Sequence, residues 1–209
     1  MKYAILIFVV FIISSCKNKR DDTAAITKLP YFNSGEFTPE WDRGVHKIPS
    51  FSFVNQNGAI VTNETYQGKI YVADFFFTTC PGICPKLTKN MKTLQDVYKD
   101  DNDIKLLSHT VMPWKDSVPV LKDYAIRNNV NSEQWNLVTG DKKGLYNIAR
   151  NGYFADEDFK KTQDESEFIH TENFILIDQK GFIRGVYNGT IELDVQRLRR
   201  HIEILKNNR

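Results

Sequence analysis

The sequence has little net charge and no long apolar run, and each of these features excludes a class of protein. Basic residues outnumber acidic residues by only two in 209, and the two kinds are interleaved. A nucleic-acid-binding domain concentrates basic residues on one face, so this class is excluded. The longest apolar run, within the first 16 residues, is too short to favour a transmembrane helix. The sequence shows no internal repeat and no low-complexity tract.

The N-terminal segment "MKYAILIFVVFIISSC" has the pattern of a signal peptide: one early lysine, an apolar core, two serines and Cys16. Its ending "ISSC" resembles a bacterial lipobox, in which the cysteine is lipidated. We predict a lipoprotein signal peptide over 1–16, a flexible tether over 17–44 and a folded domain over 45–209, anchored in the cell envelope outside the cytoplasm. The alternative is an uncleaved membrane anchor with an incidental Cys16.

Hydrophobic periodicity predicts alternating strands and helices in the domain. The segment "FSFVNQNGAIVT" alternates around Asn57-Gly58, which indicates a hairpin, and "KIYVADFFF" is typical of a strand buried on both faces. A helix after Pro85, further strands and helices, a hairpin at Gln179-Lys180-Gly181 and a last helix follow. This order predicts an α/β, thioredoxin-like fold, with a central mixed sheet flanked by helices and an N-terminal hairpin.

The two remaining cysteines, Cys80 and Cys84, lie where the buried strand turns into a helix, in "DFFFTTCPGICPKLTKNM". A disulfide across three residues closes a short loop and stabilises little, so a purely structural bond is the weaker interpretation. A helix N-terminus favours thiolate over thiol. We therefore predict a redox pair or a metal clamp. Asp74, six residues before Cys80 in an apolar strand, is interpreted as a buried carboxylate that handles thiol protons; a solvent-facing position at a strand end is the alternative.

Two features argue against an ordinary thioredoxin-like oxidoreductase. The cysteines are separated by three residues rather than two, and no proline follows Pro119, where such enzymes carry a cis-proline before the penultimate strand. That position instead holds "FIHTENFILID", with His170 ahead of the strand. Two thiolates and an imidazole suit copper, as Cu(I) or Cu(II), better than zinc, which would need a fourth ligand.

On these motifs, "DFFFTTCPGICP" and "FIHTENFILIDQKGFIRGVYNG", the chain resembles the Sco (SenC) family of copper-binding thioredoxin-like proteins, which assist assembly of cytochrome c oxidase. The resemblance runs from about Phe51 to the C-terminus. It implies that Cys80, Cys84 and His170 are the copper ligands. It also implies that the partner is the copper-site subunit of the oxidase. We expect a monomer held at the membrane by the N-terminal lipid.

The loop after the second core strand, "SHTVMPWKDS", departs from the family pattern because Met112 stands where many members carry Asp. We interpret Met112 as filling a gap in the core rather than contacting copper. Asp116 matches the second acidic position of that loop. It either supports the metal ligands or caps the following helix, and we favour the cap. The other histidines, including His109 in the second strand, are interpreted as structural.

The site residues, together with what the resemblance implies, leave three candidate functions. The first is a copper metallochaperone for the dinuclear copper centre of the oxidase. The second is a membrane-anchored thiol–disulfide oxidoreductase that reduces the cysteines of that centre. The third, a peroxidase of the same fold, would need an arginine near a peroxidatic cysteine, and none is obvious in the sequence around the pair.

Overall fold

The computed structural model describes residues 27–156 and 171–208. The predicted signal peptide with Cys16 and the predicted ligand His170 lie outside the described residues. The strands in the described ranges are β1 Tyr31–Phe32, β2 Pro39–Glu40, β3 Ser52–Asn55, β4 Ile60–Thr62, β5 Ile70–Phe76, β6 Ile104–Thr110, β7 Trp135–Thr139, β8 Asn173–Ile177 and β9 Ile183–Asn188. The α-helices in the same ranges are α1 Cys84–Val97, α2 Val118–Arg127, α3 Lys142–Asn147 and α4 Glu192–Asn207.

Seven of these strands form one mixed sheet in the order β4-β3-β7-β6-β5-β8-β9, while β1 and β2 pair separately. Strands β5, β6 and β7 are parallel, and the pairs β3–β4, β3–β7, β5–β8 and β8–β9 are antiparallel. The carboxyl ends of β5, β6 and β7 therefore meet at one end of the sheet, which we call the thiol end because β5 leads to Cys80. The mixed α/β class and central sheet predicted from the sequence are confirmed.

Strand β5 is buried along its whole length, as its apolar run predicts. Residues that alternate along a strand point to opposite faces of a sheet. Ile70, Val72 and Phe76 accordingly pack with the inner faces of α1 and α4, and the intervening residues pack with a second cluster on the other face. Asp74 shares its alternation with Val72 and Phe76, so it lies on the α1 side.

The hairpins and the last helix also follow their sequence patterns. Gly58 and Gly181 take positive φ angles of 79° and 85° in the two turns, a conformation that favours glycine. On α4, the residues predicted to share one face are all buried, namely Val195, Leu198, Ile202 and Leu205. The periodicity was sufficient here because one apolar stripe has to face the sheet.

The described part of the predicted tether is not free of the domain. Leu29 is 1% exposed within the core cluster of α1 and α4. The guanidinium of Arg184 donates to the carbonyl oxygens of Leu29 and Pro30, and β1 and β2 form a short ladder. A flexible tether reaching residue 44 therefore needs correction, because packing against the domain begins by Leu29. No helix in the described ranges has the length and hydrophobicity needed to cross a membrane.

Candidate functional site

The cysteine pair lies at the thiol end of the sheet, as predicted. Strand β5 ends at Phe76, a short turn carries Cys80, and Cys84 is the first residue of α1. The carbonyl oxygen of Phe77 accepts a hydrogen bond from the Cys80 N–H over 3.3 Å. Neither cysteine is in a disulfide, and the two thiols are within hydrogen-bonding reach of each other.

Cys80 is the more exposed and the more acidic of the two thiols. Burial by itself raises the pKa of Cys80, but hydrogen bonds from the N–H groups of Cys84, Gly82 and Ile83 and from the Cys84 thiol outweigh it and lower that pKa. These N–H groups are the ones that the start of a helix leaves without intrahelical partners. They stabilise a thiolate at Cys80, which makes this residue the better nucleophile and the first to offer a charged sulfur.

Cys84 behaves in the opposite way. It is 4% exposed on the inner face of α1. Burial raises the pKa of Cys84 to about 12, with further contributions from the hydrogen bond to Cys80 and the negative charge of Asp74, although the Phe77 N–H acts to lower it. Cys84 therefore keeps its proton at neutral pH until a metal ion displaces the proton or a base removes it.

Asp74 is buried beneath the pair, as one of the two interpretations of the sequence expected. Asp74 is only 2% exposed, and desolvation raises its pKa to about 7. A hydrogen bond from the Ser108 hydroxyl lowers that pKa by a smaller amount. Its Oδ1 atom has no hydrogen-bond partner among the described residues. A carboxyl group with these properties can exchange protons near neutral pH.

The polar surroundings of Asp74 were not predicted from the sequence. Ser108 stands opposite Asp74 in the parallel pairing of β5 and β6. Its hydroxyl accepts a hydrogen bond of 2.8 Å from the indole Nε1 of Trp135 on β7. Only the register of three neighbouring strands brings these side chains together, and no local pattern in the sequence signals it.

Asp116 corrects the preferred prediction of a helix cap. Helix α2 has Ser117 at its N-cap, with no side-chain capping bond. Asp116 is instead fully buried, and its carboxylate accepts hydrogen bonds from the N–H of Thr78 at 3.2 Å and its hydroxyl at 2.5 Å. The hydroxyl of Thr110, at the end of β6, also donates to it. Asp116 thus ties the β6–α2 loop to the turn that carries Cys80.

Met112 and His109 are in structural positions. Met112 is half-buried against the second core cluster, in agreement with the prediction that it fills a gap. His109 is completely buried, and its ring stacks on Phe75 with centroids 5.0 Å apart. Burial lowers the pKa of His109 to about 3, so the ring is neutral.

A largely apolar cavity of about 340 Å³ adjoins both cysteines. Phe75, Val111 and Thr171 contribute to its walls. Thr171 directly follows the predicted ligand His170, so the chain on the C-terminal side of that histidine reaches the cavity. Within residues 27–156 and 171–208, no three His, Cys, Asp or Glu side chains are grouped to hold a metal ion.

Comparison with known proteins identifies the family. The family model described as SCO1/SenC matches residues 42–205, most of the chain. The chain belongs to the SCO1/SenC family. The match begins nine residues before Phe51, where the motif resemblance was expected to start.

Relatives and solved structures agree with this assignment. The SCO1 protein homolog of Bacillus subtilis is 33% identical over 149 residues, which cover 69% of this chain and 75% of the relative. A Stutzerimonas stutzeri protein named for copper binding is 27% identical over 149 residues, covering 70% and 72%. The structure of a SCO1/SenC family lipoprotein from Bacillus anthracis has a TM-score of 0.67 at 27% identity and covers 79% of this chain and 98% of its own.

A structure of BsSco, described as a Sco-family member with a disulfide switch and as a cytochrome c oxidase assembly protein, has a TM-score of 0.65 at 28% identity. It covers 77% of this chain and 93% of its own. These superpositions confirm the thioredoxin-like fold predicted for this member of the SCO1/SenC family.

Proposed function

We propose that this protein is a copper metallochaperone that binds copper through Cys80 and Cys84 and delivers it to the dinuclear copper centre of cytochrome c oxidase. The observation that carries the proposal is the adjacency of two unbonded thiols at the thiol end of the sheet, one acidic and half-exposed. Two sulfur donors suit Cu(I), for which thiolates are preferred ligands. The Stutzerimonas relative named for copper binding and the BsSco description support the same assignment.

His170 is proposed as the third ligand. Thr171, its neighbour in sequence, lines the cavity that also contains Cys80 and Cys84. An imidazole nitrogen would complete a three-donor set and would extend the site to Cu(II), which favours nitrogen over sulfur ligands. Copper is the cargo in this proposal, so the site has to release the ion as well as bind it.

Proton transfer accompanies binding, because thiols coordinate metal as thiolates. Cys80 supplies a thiolate readily, whereas Cys84 has to lose a strongly held proton. Asp74 lies close enough for its charge to raise the pKa of Cys84, and its own pKa of about 7 allows it to accept that proton. We propose this proton-accepting role for Asp74.

We further propose that Cys16 carries a lipid and that the domain works as a monomer anchored in the cell envelope, outside the cytoplasm. The apolar segment before Cys16 and its lipobox-like ending support the anchor. The Bacillus anthracis relative is described as a lipoprotein, which agrees with it. Two or three acyl chains would hold the protein stably at a bilayer.

A titration of the reduced protein with Cu(I), against a chromogenic competitor, tests the function. We expect one tightly bound copper ion, and loss of tight binding in Cys80→Ser, Cys84→Ser and His170→Ala. His201→Ala is the matched control. His201 lies on α4, where its ring is hydrogen-bonded to Tyr187 on β9, so its replacement should leave the titration unchanged. Absence of stoichiometric binding by the unmodified protein would reject the copper proposal.

The contrast between the two thiols favours thiol–disulfide exchange as a second candidate function. The Cys80 thiolate would attack a disulfide in the oxidase subunit, forming a mixed disulfide and releasing one partner thiolate, which takes up a proton. Asp74 would take the proton of Cys84, whose sulfur then attacks Cys80. This step releases the second partner thiolate, which takes up the proton held by Asp74, and leaves a Cys80–Cys84 disulfide.

The two functions separate experimentally at His170. If thiol exchange is the function, His170→Ala keeps most of its reductase activity towards a disulfide-bonded peptide of the oxidase copper site, and Cys80→Ser loses it. If copper delivery is the function, His170→Ala loses copper transfer to the same peptide in its reduced form. The measurements are peptide mass for the first reaction and the absorption of the copper-loaded peptide for the second.

A further inference from the structure

The turn between β5 and α1 brings both thiols to their hydrogen-bond donors. It supplies the Phe77 N–H, which points at the Cys84 sulfur, and the Phe77 carbonyl oxygen, which accepts from the Cys80 N–H at 3.3 Å. It also places the Cys80 sulfur against the N–H groups at the start of α1. A small displacement of this turn would therefore disturb both sulfurs at once.

A buried carboxylate, Asp116, ties the turn to the β6–α2 loop. Thr78 follows Phe77, and both its N–H and its hydroxyl donate to Asp116, 38 positions later in the chain. The Thr110 hydroxyl on β6 donates to the same carboxylate and keeps it against the end of the strand. Three donors converge on Asp116, and none of the ion pairs between described residues includes it.

Burying the Asp116 carboxylate without a cation costs free energy, and this cost argues for a specific role. A buried carboxylate that is satisfied only by neutral donors costs more desolvation energy than an amide or an apolar side chain would in the same place. Bonds to a charged acceptor are, however, shorter and stronger than neutral ones. They give a more rigid connection between the β6–α2 loop and the turn than an amide would.

We propose that Asp116 is a positioning residue for the thiol pair, holding the turn from Phe77 to Cys80 so that Cys80 and Cys84 keep their backbone donors. The inference rests on the proposed function in that the thiols are taken as the working groups. It concerns sulfur reactivity, however, and can be tested without copper.

The experiment measures the rate at which iodoacetamide alkylates Cys80 in reduced, metal-free protein at pH 7, with the modified residue identified by mass spectrometry. We expect Asp116→Asn to react about tenfold more slowly, the order of effect expected for a lost hydrogen bond to a charged group. Thr78→Val loses the hydroxyl donor but keeps the N–H donor, so we expect about a threefold decrease. Thr78→Ser keeps both donors and should react within about twofold of the unmodified protein.

Asp178→Asn is the matched control. Asp178 is also a buried carboxylate, but it lies at the opposite end of the sheet, where it pairs with Arg184. The same chemical change there should lower stability and leave the alkylation rate within about twofold. A rate for folded Asp116→Asn within twofold of the unmodified protein would overturn the inference, as would an equal slowing in Asp178→Asn.

If Asp116→Asn does not fold, the comparison of Thr78→Val with Thr78→Ser decides. Equal rates for these two variants would overturn the inference, and rescue by serine alone would support it. A copper titration of the same preparations keeps the two proposals apart. Failure of the unmodified protein to bind copper rejects the metallochaperone function, whereas the order of alkylation rates tests the role of Asp116.

Discussion

The two ends of the central sheet treat buried carboxylates in opposite ways. At the end away from the thiols, Asp178 pairs with Arg184 at 2.9 Å, and the same guanidinium binds the carbonyl oxygens of Leu29 and Pro30. At the thiol end, Asp74 and Asp116 are buried to a similar degree, yet no ion pair among described residues includes either.

This difference separates a structural end from a reactive end. A buried charge with a good partner holds segments together. Asp74, buried without a cation, has its pKa raised by desolvation to about 7 and can exchange a proton, which is the property that thiol chemistry needs. The chain also joins its N-terminal segment to the structural end, so the thiols lie at the end of the domain far from that attachment.

The largest expected effect comes from removing the buried ion pair between Asp178 and Arg184. Arg184→Met leaves Asp178 as a buried charge without its cation and frees two backbone carbonyl oxygens. We expect a loss of about 3–5 kcal/mol in the free energy of unfolding, the usual cost of removing one partner of a buried ion pair. Urea unfolding monitored by circular dichroism measures it. Copper binding by the folded variant should be unchanged, and its loss would show that the two ends are not independent.

The second-largest effect is at the thiol end, where Asp74 should make the free energy of unfolding depend on pH. The pKa of Asp74 in the folded protein is about 7, against an ordinary value of 3.8. The folded protein therefore holds this proton more tightly than the unfolded chain, so its contribution to stability is full below about pH 4 and is lost as pH rises to about 7. Asp74→Asn removes this dependence.

We expect the stability of Asp74→Asn, relative to the unmodified protein, to rise by about 3 kcal/mol between pH 4.5 and pH 7.5. Paired urea titrations at the two pH values measure the difference, and other carboxylates cancel because both proteins share them. A difference that does not change with pH would mean that Asp74 is ionised throughout, and that the two ends are alike.

The smallest effect comes from an exposed pair at the structural end. Lys69 and Asp103 are 3.0 Å apart, but their side chains are 31% and 37% exposed. Solvent screening makes such pairs weak, so Lys69→Met should cost under about 1 kcal/mol. A thermal unfolding scan beside Arg184→Met gives the comparison. A cost close to that of Arg184→Met would show that burial is not what distinguishes the strong pair.

Much of the fold could be predicted because local patterns carry it. The apolar run of β5, the spacing of apolar residues on α4 and the glycines of two hairpin turns each indicate an element from neighbouring residues alone. Asp74 could be predicted as buried for the same reason, since it interrupts a run of apolar neighbours. The part of the tether that packs at Leu29 could not, because its partner Arg184 is more than 150 positions away.

The amino-acid sequence by itself determined that two cysteines stand at the junction of a buried strand and a helix, since that junction depends on periodicity and turn residues within about 20 positions. Only the tertiary structure decided which thiol is acidic, which carboxyl groups are unpaired and what Asp116 holds. Those properties depend on burial and on the register of strands and loops that are distant in the chain, and the free energy of a charge depends on everything packed around it.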